Sequence, residues 1–516
     1  MLPDPLENFG QSLVATTLFA NNVLLFLTSG YWDLASEFKP LLHTWSLGVE
    51  EQYYIIFPIL LLLTWRFGKK NIFWLIIVTA VVSLAISEWS SRAHPEATFF
   101  LIHTRAWELF AGSIAAIIVQ KRGVQNNDLL AALGFAAIVV SIFVYDESTP
   151  FPSMYALVPV LGVVLLVLFA DKETFIARLL STKWFVAIGL ISYSAYLWHQ
   201  PLFAFSKIYS KSEPSVLINL VLVVATLVLS YISWKFIEKP FRNKEIVSLK
   251  VLVASLLSVS VLIVTFGYSA HKTHGFVDRV FDDSVSSGDM YISYNQRNFS
   301  FKRDAFENNG KLNVLVIGDS FGRDFINVLR ETYDLNEVNL VYRDDFNSCS
   351  LLEKENGLSL VSDSQLVIFA SNYSVSDNSC ILRVISFTDE IGAYSFFIGT
   401  KQFGFNHNWI ARTNIDDRAF LRNAVLEETI KADKKAYESI PSKNYISLMR
   451  QLTNEEGVLV TDELGRLISP DRSHLTKYGA ILIGRDIISN SLIHPVLMTS
   501  SVNNERVVKQ AENTPQ

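Results

Sequence analysis

Cysteine is nearly absent: Cys349 and Cys380 are the only two in 516 residues. That excludes a disulfide-framework protein, and the separation of the pair carries no metal-ligand spacing, so no metal site is expected. A single bridge between the two and a pair of free thiols both stay open. Excess positive charge is missing as well. With 44 Lys and Arg against 50 Asp and Glu, the net charge of -6 leaves no basic face for nucleic acid. The first ten residues are polar, contain prolines and lack a basic region ahead of an apolar run, so they do not read as a signal peptide. No internal repeat and no low-complexity tract occur, which excludes solenoid and fibrous architectures.

What is abundant is apolar surface. Half of the residues are hydrophobic, 13% are aromatic and the mean hydropathy is +0.28, too apolar for an ordinary soluble chain of this length. The apolar runs are confined to the first half, and the composition changes near residue 270. Nine candidate spans lie at about 10–30, 52–66, 71–88, 106–120, 129–145, 154–170, 184–205, 215–234 and 250–270. Alternate loops hold thirteen Lys and Arg against five in the loops between them. Positive charge accumulates on the cytoplasmic side, so the N-terminus is expected inside and everything after residue 270 outside. The lipid bilayer is the first expected partner, and insertion would rely on the spans themselves.

Near the mouth of the second span stands Pro40-Leu-Leu-His-Thr-Trp-Ser-Leu-Gly-Val-Glu-Glu-Gln-Tyr-Tyr54, which brings His43, Trp45, Glu50 and Glu51 close to hydrocarbon. A charged side chain there costs roughly 2.5–3.5 kcal/mol on insertion scales and persists where it faces a cavity or a partner. The block is therefore a candidate site, against the simpler reading of two solvated carboxylates at a helix start. Arg105 and Glu108, at the start of a later span, either line the same cavity or form an interfacial ion pair. His43, His94, His103 and His199 all fall on or near the external side, where a histidine is more often an interfacial hydrogen-bonding group than a base.

The second half carries a different signal. Lys311-Leu-Asn-Val-Leu-Val-Ile317 reads as a buried strand, followed by Gly318-Asp319-Ser320 and a helical stretch from Arg323 to Tyr333. Ser320 thus sits at a strand-to-helix turn, which exposes a hydroxyl beside free backbone N–H groups. Far downstream, Asp471-Arg-Ser-His474 precedes another helical stretch. A serine hydroxyl attacks well when a base takes its proton and a carboxylate orients that base, and this turn supplies both.

In that order and setting, Gly-Asp-Ser and Asp-x-x-His resemble the SGNH (GDSL-like) esterase and acyltransferase superfamily over about Leu312 to Asn490. The resemblance implies Ser320 as nucleophile, His474 as general base and Asp471 as its orienter, in a flavodoxin-like α/β domain, a layout that the strand-like segments Leu366–Ala370, Tyr394–Ile398 and Val458–Val460 fit. It also implies an oxyanion hole, for which Asn372 is the candidate side chain; no matching glycine stands out. The first half, in the Pro40–Pro58 block, Thr104-Arg-Ala-Trp-Glu-Leu109, Ser192-Tyr-Ser-Ala-Tyr-Leu-Trp-His199 and Glu238-Lys-Pro-Phe-Arg242, resembles the membrane-bound acyltransferase-3 family. Members of that family begin with two further spans bearing an essential histidine and a cytoplasmic arginine pair, and the chain reads as lacking these.

Together the resemblances imply a multi-span α-helical membrane domain of about nine spans followed by an external α/β SGNH domain. The expected divisions are 1–248 for a partial acyltransferase-3 domain, 249–270 for the last span, 271–310 for a linker, 311–492 for the SGNH domain and 493–516 for a polar tail. The implied activity is O-acyl, typically O-acetyl, transfer in a bacterial inner membrane. Acetyl-coenzyme A is the implied donor on the cytoplasmic side. A sugar hydroxyl of an envelope polysaccharide, lipopolysaccharide among them, is the implied acceptor outside, and no bound cofactor is required. The alternatives are a membrane-tethered esterase and a truncated, non-catalytic homologue.

Overall fold

The computed structural model describes residues 1–28, 36–146, 148–282, 285–371 and 378–498. Its contacts divide the chain into two compact units. One comprises Pro5–Ser206 and Pro214–Gly275, the other Met1–Asp4, Lys207–Glu213 and Phe276–Gln516.

The first unit is helical. Among the described residues five helical stretches are long and apolar enough to cross a membrane: Leu42–Phe67, Lys69–Ala93, Pro95–Arg122, Val216–Arg242 and Leu249–Lys272. Asp128–Val144 and Met154–Phe169 are apolar but shorter. Several of these helices start where the sequence offers a cap: Asn127, Ser215 and Ser248 accept the N–H groups of Leu130, Ile218 and Val251. Where two helices touch closely the residues are small, and a side chain added at Gly267 would run into the Gly10 carbonyl.

The stretch 10–30 is not one span. Helices Pro3–Thr17 and Asn21–Thr28 are separated by a break at which Phe19 has φ 55°. The cause is polar: Asn21 and Asn22 are buried, and their amides donate to the Leu41 carbonyl at 3.0 Å and the Phe100 carbonyl at 3.1 Å. Such groups need protein partners, not lipid.

The second unit is built on a five-stranded sheet of order β2-β1-β3-β4-β6, all parallel. Its strands are β1 (Leu312–Ile317), β2 (Val338–Arg343), β3 (Leu366–Ala370), β4 (Tyr394–Ile398) and β6 (Tyr445–Ile446). The apolar runs exist because both faces are covered. Val314 and Val316 point to a core shared with Phe325, Ile326 and Leu329 of the helix Ser320–Thr332, whereas Leu315 and Ile317 point to a core shared with Leu360, Val384 and Ile385. The alternation is the period of two that a strand imposes.

Three sequence expectations shift here. The segment around Val458–Val460 does not join the main sheet. Gly457–Leu459 (β8) instead pairs antiparallel with β5 (Arg422–Asn423) and β7 (Thr453–Asn454), because the tight turn at Gly457 folds β7 directly back onto β8. The Ser320 helix begins at the serine itself, ahead of Arg323, because Asp319 caps it. The stretches expected as linker and tail also contribute to the core. Val280, Phe281, Met290 and Tyr294 before β1, and Ile493 and Leu497 near the end, are all buried in it.

Candidate active site

Ser320 stands immediately beyond the C-terminal end of β1, where the strand order reverses between β2 and β3. In open α/β sheets this switch point is where a crevice forms. The turn into the helix is held by two features of Gly-Asp-Ser. Gly318 has φ 155° and lies against β3 so closely that a Cβ there would overlap the Ala370 carbonyl. Asp319 caps the helix, its Oδ1 accepting the Phe321 N–H at 2.9 Å. Ser320 therefore occupies the first position of a 13-residue helix, whose N-terminus favours a developing negative charge.

The downstream turn meets it. The Ser320 hydroxyl lies 2.8 Å from His474 Nε2, and His474 Nδ1 lies 2.6 Å from Asp471 Oδ2. With Nδ1 protonated toward the carboxylate, Nε2 is the acceptor of the serine proton. Asp471 Oδ1 is itself occupied, accepting the N–H groups of Ser473 at 2.7 Å and His474 at 2.8 Å. Burial works against the charge of Asp471, but the neighbouring His474 and these N–H donors outweigh it and hold the carboxyl well below its ordinary range. Ser320 and His474 are both buried. Ser320, His474 and Asp471 thus come together as a nucleophile, a base and an orienting carboxylate, while Asn372 lies outside the described residues.

A buried loop supports the base. His407 is enclosed, its Nδ1 3.1 Å from the Ser469 carbonyl and its Nε2 2.7 Å from the Phe403 carbonyl. Burial pushes its imidazole below the ordinary value, against the pull of the Phe403 carbonyl. The Phe403 N–H donates to the Arg472 carbonyl at 2.7 Å, and Arg472 Nε donates back to the Phe405 carbonyl at 2.8 Å. His407, Ser469 and this lacing were not legible in the sequence, for they belong to no local motif.

In the helical unit the candidate residues fall into separate groups. His43 is 8% exposed, and among the described residues neither of its ring nitrogens has a hydrogen-bond partner. Its ring sits 4.9 Å from that of Tyr196 and 5.2 Å from that of His199. The Tyr196 hydroxyl donates to the His43 carbonyl and lies 2.9 Å from Ser46 Oγ. Trp45 belongs to a second group, its ring 4.9 Å from the Arg105 guanidinium, which Phe99 and Phe151 also face. Arg105 pairs with Glu108 at 3.2 Å. Glu50 and Glu51 are half-buried, with no ion pair among the described residues. Tyr196, which the sequence reading did not single out as a site residue, lies in the Ser192–His199 string that carried the resemblance. No group of residues suited to a metal ion occurs among the described residues.

Comparison with known proteins bears on this unit. Residues 8–235 match the family model described as an acyltransferase domain. The chain is 27% identical over 248 residues to O-acetyltransferase OatA of Staphylococcus aureus (strain NCTC 8325 / PS 47), covering 43% of this chain and 40% of that protein. It is 27% identical over 250 residues to a putative O-acetyltransferase of Staphylococcus aureus (strain COL), covering 44% of this chain and 41% of that one. The matches thus span about two-fifths of the curated relatives' length. They support the acyltransferase-3 family for the first half of the chain. No solved structure matches.

Proposed function

We propose that the chain is an O-acyltransferase of the bacterial cell envelope, its helical half receiving an acyl group and its α/β half passing that group to a sugar hydroxyl through Ser320. The likeness of residues 8–235 to an acyltransferase domain supports a transferase. The observation that carries the two-part reading is the line from Ser320 Oγ to His474 Nε2 at 2.8 Å and on to Asp471 at 2.6 Å in the same chain. On this reading the α/β unit is an SGNH domain outside the membrane; Met1–Asp4 belong to that unit, which corrects the expected cytoplasmic N-terminus, and the opposite side is the cytoplasm. Acetyl-coenzyme A is the donor on that side and an envelope polysaccharide the acceptor on the other. The disulfide between Cys349 and Cys380 agrees with an α/β unit outside the cytoplasm.

The chemistry divides one transfer into two. His474 takes the Ser320 proton as Oγ attacks the acyl carbonyl; a C–O bond forms, the bond to the donor breaks, and the proton leaves with the departing group. A sugar hydroxyl then attacks the acyl-serine, His474 takes its proton, and Ser320 recovers it as the new ester departs. Water must be excluded from the intermediate, which suits a buried serine. In a strain lacking the gene, the wild-type chain is expected to restore O-acetyl groups on the envelope polysaccharide, read by NMR, and Ser320→Ala to restore none. Unchanged acetyl content in the Ser320→Ala strain sinks the role of Ser320.

A second reading, a membrane-tethered esterase, is favoured by one observation: the three catalytic side chains meet within a single compact unit. Acetate release from a simple ester without coenzyme A, together with no gain of polymer acetylation, selects that reading.

A further inference from the structure

Beneath the Ser320 helix lies a charge pair that the proposed chemistry does not use. Lys401 Nζ is 2.8 Å from Asp324 Oδ2, with the two side chains 2% and 1% exposed. The same ammonium sits 3.3 Å above the centre of the Phe321 ring, beside the nucleophile. The other oxygen of Asp324 accepts from Asn295 Nδ2 at 2.7 Å.

A buried ion pair is a poor device for stability, since desolvating both charges offsets their attraction, and apolar side chains of like volume often serve as well. Its value is geometric, and the geometry here is particular. Residues 320, 324, 327 and 331 follow the spacing of one helical face. Asn295, Asn298 and Arg297 meet that face or its edge: Asn295 at Asp324, Asn298 at the Arg323 carbonyl at 2.9 Å, and Arg297 at Asn327 and Glu331 at 3.0 and 2.8 Å. Rotation of the helix about its axis, which would swing the Ser320 hydroxyl away from His474, is opposed along the whole stripe.

Lys401 closes the circuit. It opens the buried loop whose Phe403 and His407 bond to the Arg472 and Ser469 carbonyls of the Ser469–His474 turn, and that turn carries Asp471 and His474. The nucleophile helix and the base turn are therefore tied to one loop, the first through Asp324–Lys401 and the second through Phe403 and His407.

We propose that the Lys401–Asp324 pair is a positioning element that sets the Ser320-to-His474 distance, a role resting on the reading of Ser320 as nucleophile. Neither residue touches the reacting atoms. Misplacement on the order of 1 Å costs about a hundredfold in rate, so the pair acts on kcat and leaves KM alone.

The test uses the full chain in detergent, with p-nitrophenyl acetate hydrolysis and fluorophosphonate labelling as readouts and Ser320→Ala as the blank. The double variant Lys401→Met, Asp324→Leu replaces both charges with side chains of similar volume. It also removes the acceptor of the buried Asn295 Nδ2, so the melting temperature is expected to fall modestly, while kcat and the labelling rate of the folded variant fall roughly ten- to a hundredfold at unchanged KM. Lys401→Arg, which keeps the charge and alters the geometry, is expected to slow labelling to an intermediate rate, and it serves where the double variant does not fold. Wild-type kcat in the folded double variant, or wild-type labelling in Lys401→Arg, overturns the positioning role and leaves Ser320 as nucleophile. Wild-type labelling that persists in Ser320→Ala instead removes the nucleophile reading, and the positioning role falls with it.

Discussion

At Asp471 a single carboxylate meets three demands: two backbone N–H groups and an imidazole. Replacing it with Asn leaves the shape and removes the charge that fixes the His474 tautomer. Asp471→Asn is expected to lower kcat by roughly three to four orders of magnitude with little change in KM, measured on p-nitrophenyl acetate. The stability consequence has a definite sign. The folded carboxyl lies below the unfolded value of about 3.9, so its contribution is complete above about pH 4 and is lost as the pH falls through the folded value. The melting-temperature difference between wild type and Asp471→Asn should stay flat from neutral pH to about pH 5 and shrink below about pH 4. A difference that shrinks near neutral pH would mean that another group carries it. Ser320, Asp471 and His474 were legible in the sequence only in combination: Gly-Asp-Ser is also an ordinary turn and Asp-x-x-His also a helix cap beside a surface histidine, and it is their order and setting together that make the signal. Lys401 and His407 were not. They come from a buried loop, Thr400–Ile410, where burial follows no period and every role depends on what the fold brings alongside.

Elements were legible in proportion to how much of their environment they carry within themselves. The strands β1, β3 and β4 are apolar on both faces and were read as strands without knowledge of their partners. The two-residue β6 has no such pattern, and it takes the fifth place in the sheet through pairing with Phe397 and Ile398. The helix break at 18–20 depends on Asn21 and Asn22 finding distant carbonyls, which no window of neighbouring residues reveals. The turn from β1 into the Ser320 helix is the element whose residue demand is strictest. Gly318 has a backbone conformation that suits glycine and faces the Ala370 carbonyl at a distance no side chain tolerates. Gly318→Ala is expected to destabilise the α/β unit by more than about 3 kcal/mol, since β1 and β3 would have to part. Gly310 provides the control: its φ is 71°, but nothing lies within 4 Å of a Cβ there. Gly310→Ala should cost only about 1–2 kcal/mol, the conformational share alone. Thermal unfolding and protease resistance of the two variants check the order, and equal losses would refute the close-approach argument.

Over the whole molecule the composition changes near residue 270, and the compact units part at Gly275 and Phe276. The apolar residues that carry the second core back to Val280 were hidden among Asp, Ser and Asn, so the stretch read as a linker. Two units imply two separable readouts, and His43 offers the means of separating them. An imidazole in a membrane-facing unit with no hydrogen-bond partner among the described residues bears a desolvation cost of about 1–3 kcal/mol without return. If its role were structural, an apolar residue of similar size would relieve that cost, so His43→Leu would be at least as stable and fully active. If the ring nitrogens serve acyl transfer, stability rises or holds and transfer fails. Taking His43 as a residue of the acyl path in the helical half, the second outcome is expected: envelope O-acetylation falls at least about tenfold, while fluorophosphonate labelling of Ser320 proceeds at the wild-type rate. Wild-type acetylation by His43→Leu would remove His43 from the membrane chemistry. Loss of both readouts with normal membrane content would show that the two units do not act as separable stages, since a substitution in the helical unit would then have disabled the serine of the other.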